Sequence, residues 1–101
     1  MSVDLDVILD EKIKVVTKEP KRYKVIFLND DTTPMEFVIS LLIQIFKYSE
    51  TTAHELTMKI HTEGSEVVGI FTHEIAEQKA NETVLTARQH GFSLQVRLEE
   101  E

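Results

Sequence analysis

Asn29, Asp30 and Asp31 close a strand-like run, Thr33 and Met35 lie just beyond them, and His61 follows further along the chain. An amide oxygen, a carboxylate and a neutral imidazole nitrogen are three hydrogen-bond acceptors, and a protonated amine has three N–H bonds to satisfy. The constellation therefore suits an ammonium receptor, with neighbouring apolar residues placed to take the side chain that the same amino acid carries. Two other readings use the same residues. The Asn-Asp-Asp-Thr-Thr-Pro stretch is also loop chemistry, in which short carboxylates cap backbone amides. Twin aspartates after a strand also suit Mg²⁺ and phosphotransfer or hydrolysis, although a parallel, doubly wound sheet normally accompanies such a site.

Other chemistries lack their residues. His54-Glu55 begins like the zinc signature HExxH, but position 58 is Met, so the second histidine of that helix face is missing. His54, His61, His73 and His90 have no spacing that pairs two ligands on one face, and no cysteine supports them. With three glycines there is no Gly-rich phosphate loop, and no GxSxG elbow occurs. We expect no metal, no cofactor and no catalysis.

The elements that must position these residues follow from periodicity. Tyr23, Val25 and Phe27 alternate with Ile26 and Leu28, which predicts a strand over 22–28 running into the turn residues 29–32. Thr33-Pro34-Met35-Glu36 reads as a helix start, with Thr33 as cap, Pro34 in the first helical position and Glu36 closing a capping box. The helix should reach about Tyr48. Phe37, Val38, Leu41, Leu42, Ile45 and Phe46 make one broad apolar face, and Met35, Ile39 and Ile43 add a second row, so its first turns are deeply buried or line a pocket. A second helix over about 51–62 carries Ala53, Leu56, Ile60 and His61 on one side and stops near Gly64. A strand over 66–72 precedes a third helix, capped by Thr72 or His73, with inner row Ala76, Ala80, Val84 and Ala87. Phe92, Leu94, Val96 and Leu98 alternate with polar residues in a final strand. The order β-α-α-β-α-β predicts an α+β sandwich: a three-stranded antiparallel sheet with three helices on one face. Residues 1–21 show no sustained period and are expected to form a mobile arm, with an edge strand at 12–17 as the alternative.

Composition narrows the setting. A chain of 101 residues with 42% hydrophobic content supports one core, expected over 22–101. The absence of cysteine favours a reducing cytoplasm. A net charge of −7 repels phosphate backbones, so nucleic acid is a poor partner. The longest apolar stretch, 37–46, is interrupted by Ser40 and Gln44 and falls short of the roughly 20 residues a membrane span needs.

The strings YKVIFLNDDTTPMEFV, residues 53–61 with Gly64, and VVGIFTHEIAEQK together resemble the ClpS family over Tyr23 to Leu98. That family comprises adaptors of the bacterial N-end rule, which hand proteins with a destabilising N-terminal residue to the ClpA or ClpC unfoldase of the Clp protease. The resemblance implies that Asn29, Asp30 and His61 bind the substrate α-amine, with Asp31 and Thr33 supporting the rim. It implies a side-chain pocket of Met35, Val38, Thr57, Ile60 and Leu94 for Leu, Phe, Tyr or Trp at position one, with Met35 as gatekeeper. Glu74 and Lys79 match the surface that meets the unfoldase hexamer, and the arm corresponds in position to one that engages it. The chain departs from the family at three points. Thr32 replaces a common aromatic, Thr57 replaces a pocket methionine with Met58 one step later, and Phe92-Ser93 replaces a His-Pro pair. A structural interaction module of similar architecture, as in the ribosomal stalk, is the bland alternative. It would have no use for the polar rim.

Overall fold

A computed structural model describes residues 20–101. The chain runs β1 (Arg22–Leu28), α1 (Met35–Gln44), α2 (Glu50–Glu63), β2 (Ser65–Thr72), α3 (His73–Gln89) and β3 (Gln95–Glu100). The sheet is antiparallel with β1 in the centre, in the order β2-β1-β3. The expected α+β architecture, three helices on a three-stranded antiparallel sheet, is the one observed. The arm and the alternative edge strand at 12–17 lie outside the described residues, apart from the exposed Pro20 and Lys21.

Central placement explains the apolar run of β1. Val25 and Phe27 are fully buried against the helices, together with Leu41, Leu42, Ala53, Ile60, Val68, Ala76, Ala87 and Leu94. Ile26, on the opposite face, is also buried; it lies in the ladder between Val67 and Arg97, and an arginine stem covers apolar surface well. Pairing with β2 shifts between Val25 and Ile26, leaving Val68 as an extra residue that turns into the core.

Three local expectations are corrected. Thr33 does not cap α1: Pro34 occupies the cap position without any side-chain cap bond, because the Thr33 hydroxyl donates instead to Asp30 Oδ2 at 2.7 Å. Glu36 is exposed, so no capping box forms. The helix also ends at Gln44, before Tyr48, since the chain turns at Lys47 with φ 64°, a conformation that a lysine does not announce in sequence. The buried row of α3 is Ala76, Ala80, Thr83 and Ala87, with Val84 only half-buried. Thr83 is tolerated there because its hydroxyl donates to the Lys79 carbonyl at 2.8 Å.

The remaining helix ends follow sequence closely. Ser49 caps α2, accepting from the Thr52 N–H at 3.2 Å, and Gly64 ends it in the left-handed region at φ 91°. At the end of α3 the Phe92 N–H returns to the Ala87 carbonyl at 2.9 Å and the Gly91 N–H to Arg88 at 3.0 Å, the paired bonds of a Schellman closure. Phe92 is thereby drawn into the turn, and β3 starts only at Gln95, later than its alternation suggested.

Candidate functional site

Four element ends converge at one end of the sheet, and strand register dictates that they do. Leu28, the last residue of β1, pairs with Ser65 on one side and Gln95 on the other. Ser65 directly follows the Gly64 turn, so the last turn of α2, with Ile60 and His61, must lie beside Asn29. A backbone bond from the Asn29 N–H to the Gly64 carbonyl at 2.8 Å fixes that neighbourhood. Gln95 directly follows Leu94 and Ser93, so these two residues arrive on the other flank. The loop after β1 then leads straight into α1 and brings Met35.

The result is a cavity lined by Leu28, Asn29, Asp30, Thr33, Met35, Val38, Thr57, Ile60, His61 and Leu94. Every expected amine-binding and side-chain residue lines it, together with the rim residue Thr33. Asp31 does not; it is exposed in the turn. Leu28 was missed, because its place in the strand pattern gave it only a packing role. Val38, Thr57, Ile60 and Leu94 form a buried floor, while Asn29 and His61 are exposed at the mouth and Asp30 is half-buried. The volume is about 20 Å³, close to the space one water requires. A larger open groove, about 860 Å³, runs along the outside of α1 and α2 past Glu36, Ile39, His54 and Met58. Its lining carries Glu50 and Glu55 as well, but none of the residues expected to bind an amine, and we place the site in the tight cavity for that reason.

Asp30 is the most heavily bonded side chain of the site. Its Oδ2 accepts from Thr32 Oγ1 and Thr33 Oγ1, each at 2.7 Å, and Ser93 Oγ lies 3.2 Å from both carboxylate oxygens. Hydrogen bonds, first from Thr33 and then from Thr32, hold its pKa down to about 2 against the opposing effect of desolvation, with the nearby Ser93 hydroxyl and the Thr32 backbone adding less. A carboxylate so bound stays charged throughout the neutral range. Thr32 and Ser93 are two of the positions where the sequence departs from the family pattern, and sequence reading gave neither a role.

Thr57 is buried, and its hydroxyl is spent on the Ala53 carbonyl at 2.8 Å. The cavity therefore sees little of its polarity. Met58 is exposed on the outer groove and does not replace the pocket methionine. Among the described residues, no group of three or more His, Asp or Glu is arranged to hold a metal ion. Asp31, exposed in the turn, does not line the cavity with Asp30.

Glu74 and Lys79 lie on α3, away from the cavity. Glu74 is exposed in the first turn. Lys79 is half-buried: its ammonium donates to the Ile45 carbonyl at 2.9 Å and sits 5.6 and 5.4 Å from the ring centres of Phe46 and Phe71. It satisfies the frayed end of α1, where the helix has no further N–H to offer.

Hydrogen-bond acceptors thus stand at the mouth of a small cavity with a buried floor, on an α+β sandwich. Comparison with known proteins gives the family. Residues 18–97 match the family described as ATP-dependent Clp protease adaptor protein ClpS. The ATP-dependent Clp protease adapter protein ClpS of Zymomonas mobilis is 42% identical, covering 98% of both chains. That of Roseobacter denitrificans is 46% identical over 87% of this chain and 78% of its own. Among solved structures, Agrobacterium tumefaciens ClpS2 bound to L-phenylalaninamide superposes with a TM-score of 0.80 at 43% identity, covering 82% of this chain and all of the other. The chain belongs to the ClpS family, and is an adaptor of the Clp protease.

Proposed function

We propose that this adaptor binds proteins whose first residue is bulky and hydrophobic, Leu, Phe, Tyr or Trp, and delivers them to a ClpA- or ClpC-type unfoldase hexamer for degradation. The observation that carries the reading is the placement of Asn29, Asp30 and His61 at the mouth of one cavity floored by Val38, Thr57, Ile60 and Leu94. An N-terminal residue is the ligand that presents an ammonium and a side chain from the same carbon. The carboxylate supplies the counter-charge, and the α2 C-terminus, where His61 lies, adds the negative end of a helix dipole. L-phenylalaninamide, the molecule bound to Agrobacterium tumefaciens ClpS2, is such a group: a free α-amine, an aromatic side chain and an amide where the next peptide bond would begin.

Charge-assisted hydrogen bonds to the ammonium contribute about 1.5–3 kcal/mol each, and burying a Leu- or Phe-sized side chain roughly 1.5–3 kcal/mol. Neither part alone selects N-termini of one type. Because the free cavity holds no more than a water, a bulky side chain enters only when its walls move. Met35, half-buried at the edge with three rotatable bonds, is the residue suited to swing.

Calorimetry with peptides identical after the first residue tests this. Peptides beginning with Phe, Leu, Tyr or Trp should bind and those beginning with Ala or Glu should not. Equal binding across the set would contradict a side-chain pocket. Delivery is read separately, as degradation of a Phe-initiated reporter by the reconstituted protease.

A further inference from the structure

Hydroxyl protons can be counted around Asp30. Thr32 Oγ1 lies 2.7 Å from Asp30 Oδ2 and 2.7 Å from Ser93 Oγ. Each hydroxyl has one proton to give. If Ser93 gave its proton to Asp30 directly, at 3.2 Å, the short contact between Thr32 and Ser93 would contain no proton, since Thr32 also donates to the carboxylate. The distances therefore select a chain: Ser93 donates to Thr32, and Thr32 donates to Oδ2. Thr33 donates to the same oxygen at 2.7 Å. Oδ2 thus receives two short hydroxyl bonds, while Oδ1 has no short hydroxyl contact, only Ser93 Oγ at 3.2 Å; the Thr32 backbone N–H also bonds the carboxylate.

Ser93 reaches this position because its loop is clamped. Arg88, in the last turn of α3, donates from one guanidinium nitrogen to the carbonyls on either side of it, Phe92 at 2.9 Å and Leu94 at 2.8 Å. The Phe92 ring packs edge-on against Phe37 of α1 at 4.9 Å. A short hydroxyl chain ending on a charged acceptor polarises cooperatively, and here it ties the loop before β3 to the loop after β1.

We propose that Ser93 and Thr32 form a latch that fixes the rotation of the Asp30 carboxylate and reserves Oδ1 for the substrate amine, making both of them positioning residues for N-terminal recognition. This rests on the amine-binding reading above. Asp30 makes no salt bridge among the described residues. The titratable groups nearest it are Asp31 in its own loop and His61, which lines the same cavity from α2.

The test uses the full chain with Ser93→Ala, Thr32→Val, the double variant, and Thr32→Ser as the variant that restores a hydroxyl. Two quantities are read: affinity for a Phe-initiated peptide with free or acetylated amine, and the NMR titration of the Asp30 carboxyl carbon. Each single loss should weaken free-amine binding by roughly 3- to 10-fold, the worth of one hydrogen bond. The double variant should lose little more than either single, because a chain is broken once. The carboxyl midpoint should climb from about 2 toward the ordinary carboxylate range in Thr32→Val and stay low in Thr32→Ser. Both positions are exposed, so folding should persist. Unchanged affinity and midpoint in the variants, while the wild type still prefers the free amine, would overturn the latch alone. A wild type that does not distinguish free from acetylated peptide would overturn the amine reading, and the latch with it.

Discussion

Asp30 responds to acid only well below neutral pH. The folded Asp30 carboxyl is depressed to about 2 from an ordinary value of 3.8, so the stability it contributes is present above about pH 4 and is lost as pH falls toward 2. Asp30→Asn should therefore flatten the acid end of a stability-against-pH curve, and an unchanged acid limb would show that its hydroxyl partners do not hold it. For peptide affinity the limits lie elsewhere. The substrate α-amine loses its charge around 7.7–8.0, setting the basic limb. His61→Ala removes one of the three acceptors and should weaken free-amine binding. Thr57 bears on selectivity: its small methyl leaves room at the floor, so Trp and Tyr should bind relatively well. Thr57→Met should shift the ranking toward Leu, whereas an unchanged ranking would mean that position 57 does not reach the ligand. The individual acceptors and floor residues were legible in sequence because each type carries its chemistry openly. The bonds of Thr32 and Ser93 were not, since a hydroxyl's partner depends on which distant loop arrives beside it, here one 61 positions away.

The convergence of α1, α2 and β3 on the end of β1 is a consequence of antiparallel register, and the alternation that set the register was readable. Helix boundaries were less so. Gly64 marked the end of α2, but α1 ends near a lysine with positive φ, where no residue type gave notice. What secures that end is Lys79, from another helix, together with the Tyr48 N–H returning to the Leu42 carbonyl at 3.1 Å and the Tyr48 hydroxyl reaching the Val68 carbonyl. Lys79→Ala should lower the unfolding free energy by about 1–3 kcal/mol, through a charged hydrogen bond and two cation–π contacts. Glu74→Lys, exposed, should change stability by less than about 0.5 kcal/mol. Denaturant titration checks both, and a neutral Lys79→Ala would mean that the contact contributes nothing. It follows that Glu74 is the cleaner probe of an unfoldase-facing surface: weaker unfoldase binding by Glu74→Lys, with peptide affinity intact, is the expected result.

At the scale of the molecule, the core and the cavity among the described residues are formed by residues between Tyr23 and Leu98. Removing the arm, residues 1–21, should leave peptide affinity unchanged and abolish delivery to the unfoldase. Loss of peptide binding would assign the segment a part in the folded site. Among the described residues no helix is long and apolar enough to cross a membrane. On the proposed reading the molecule is a small holder that joins two recognitions, a charge at the mouth and an apolar group on the floor, in one short cavity.

The most direct test of that description is the affinity of one Phe-initiated peptide measured with its α-amine free and again with it acetylated. Acetylation removes the charge and two of the three N–H donors while leaving the side chain intact. The account predicts a loss of at least roughly 100-fold, from two charge-assisted hydrogen bonds, and a matching loss for the free peptide with Asp30→Ala. Equal affinity for the two peptides would contradict it, whatever the fold.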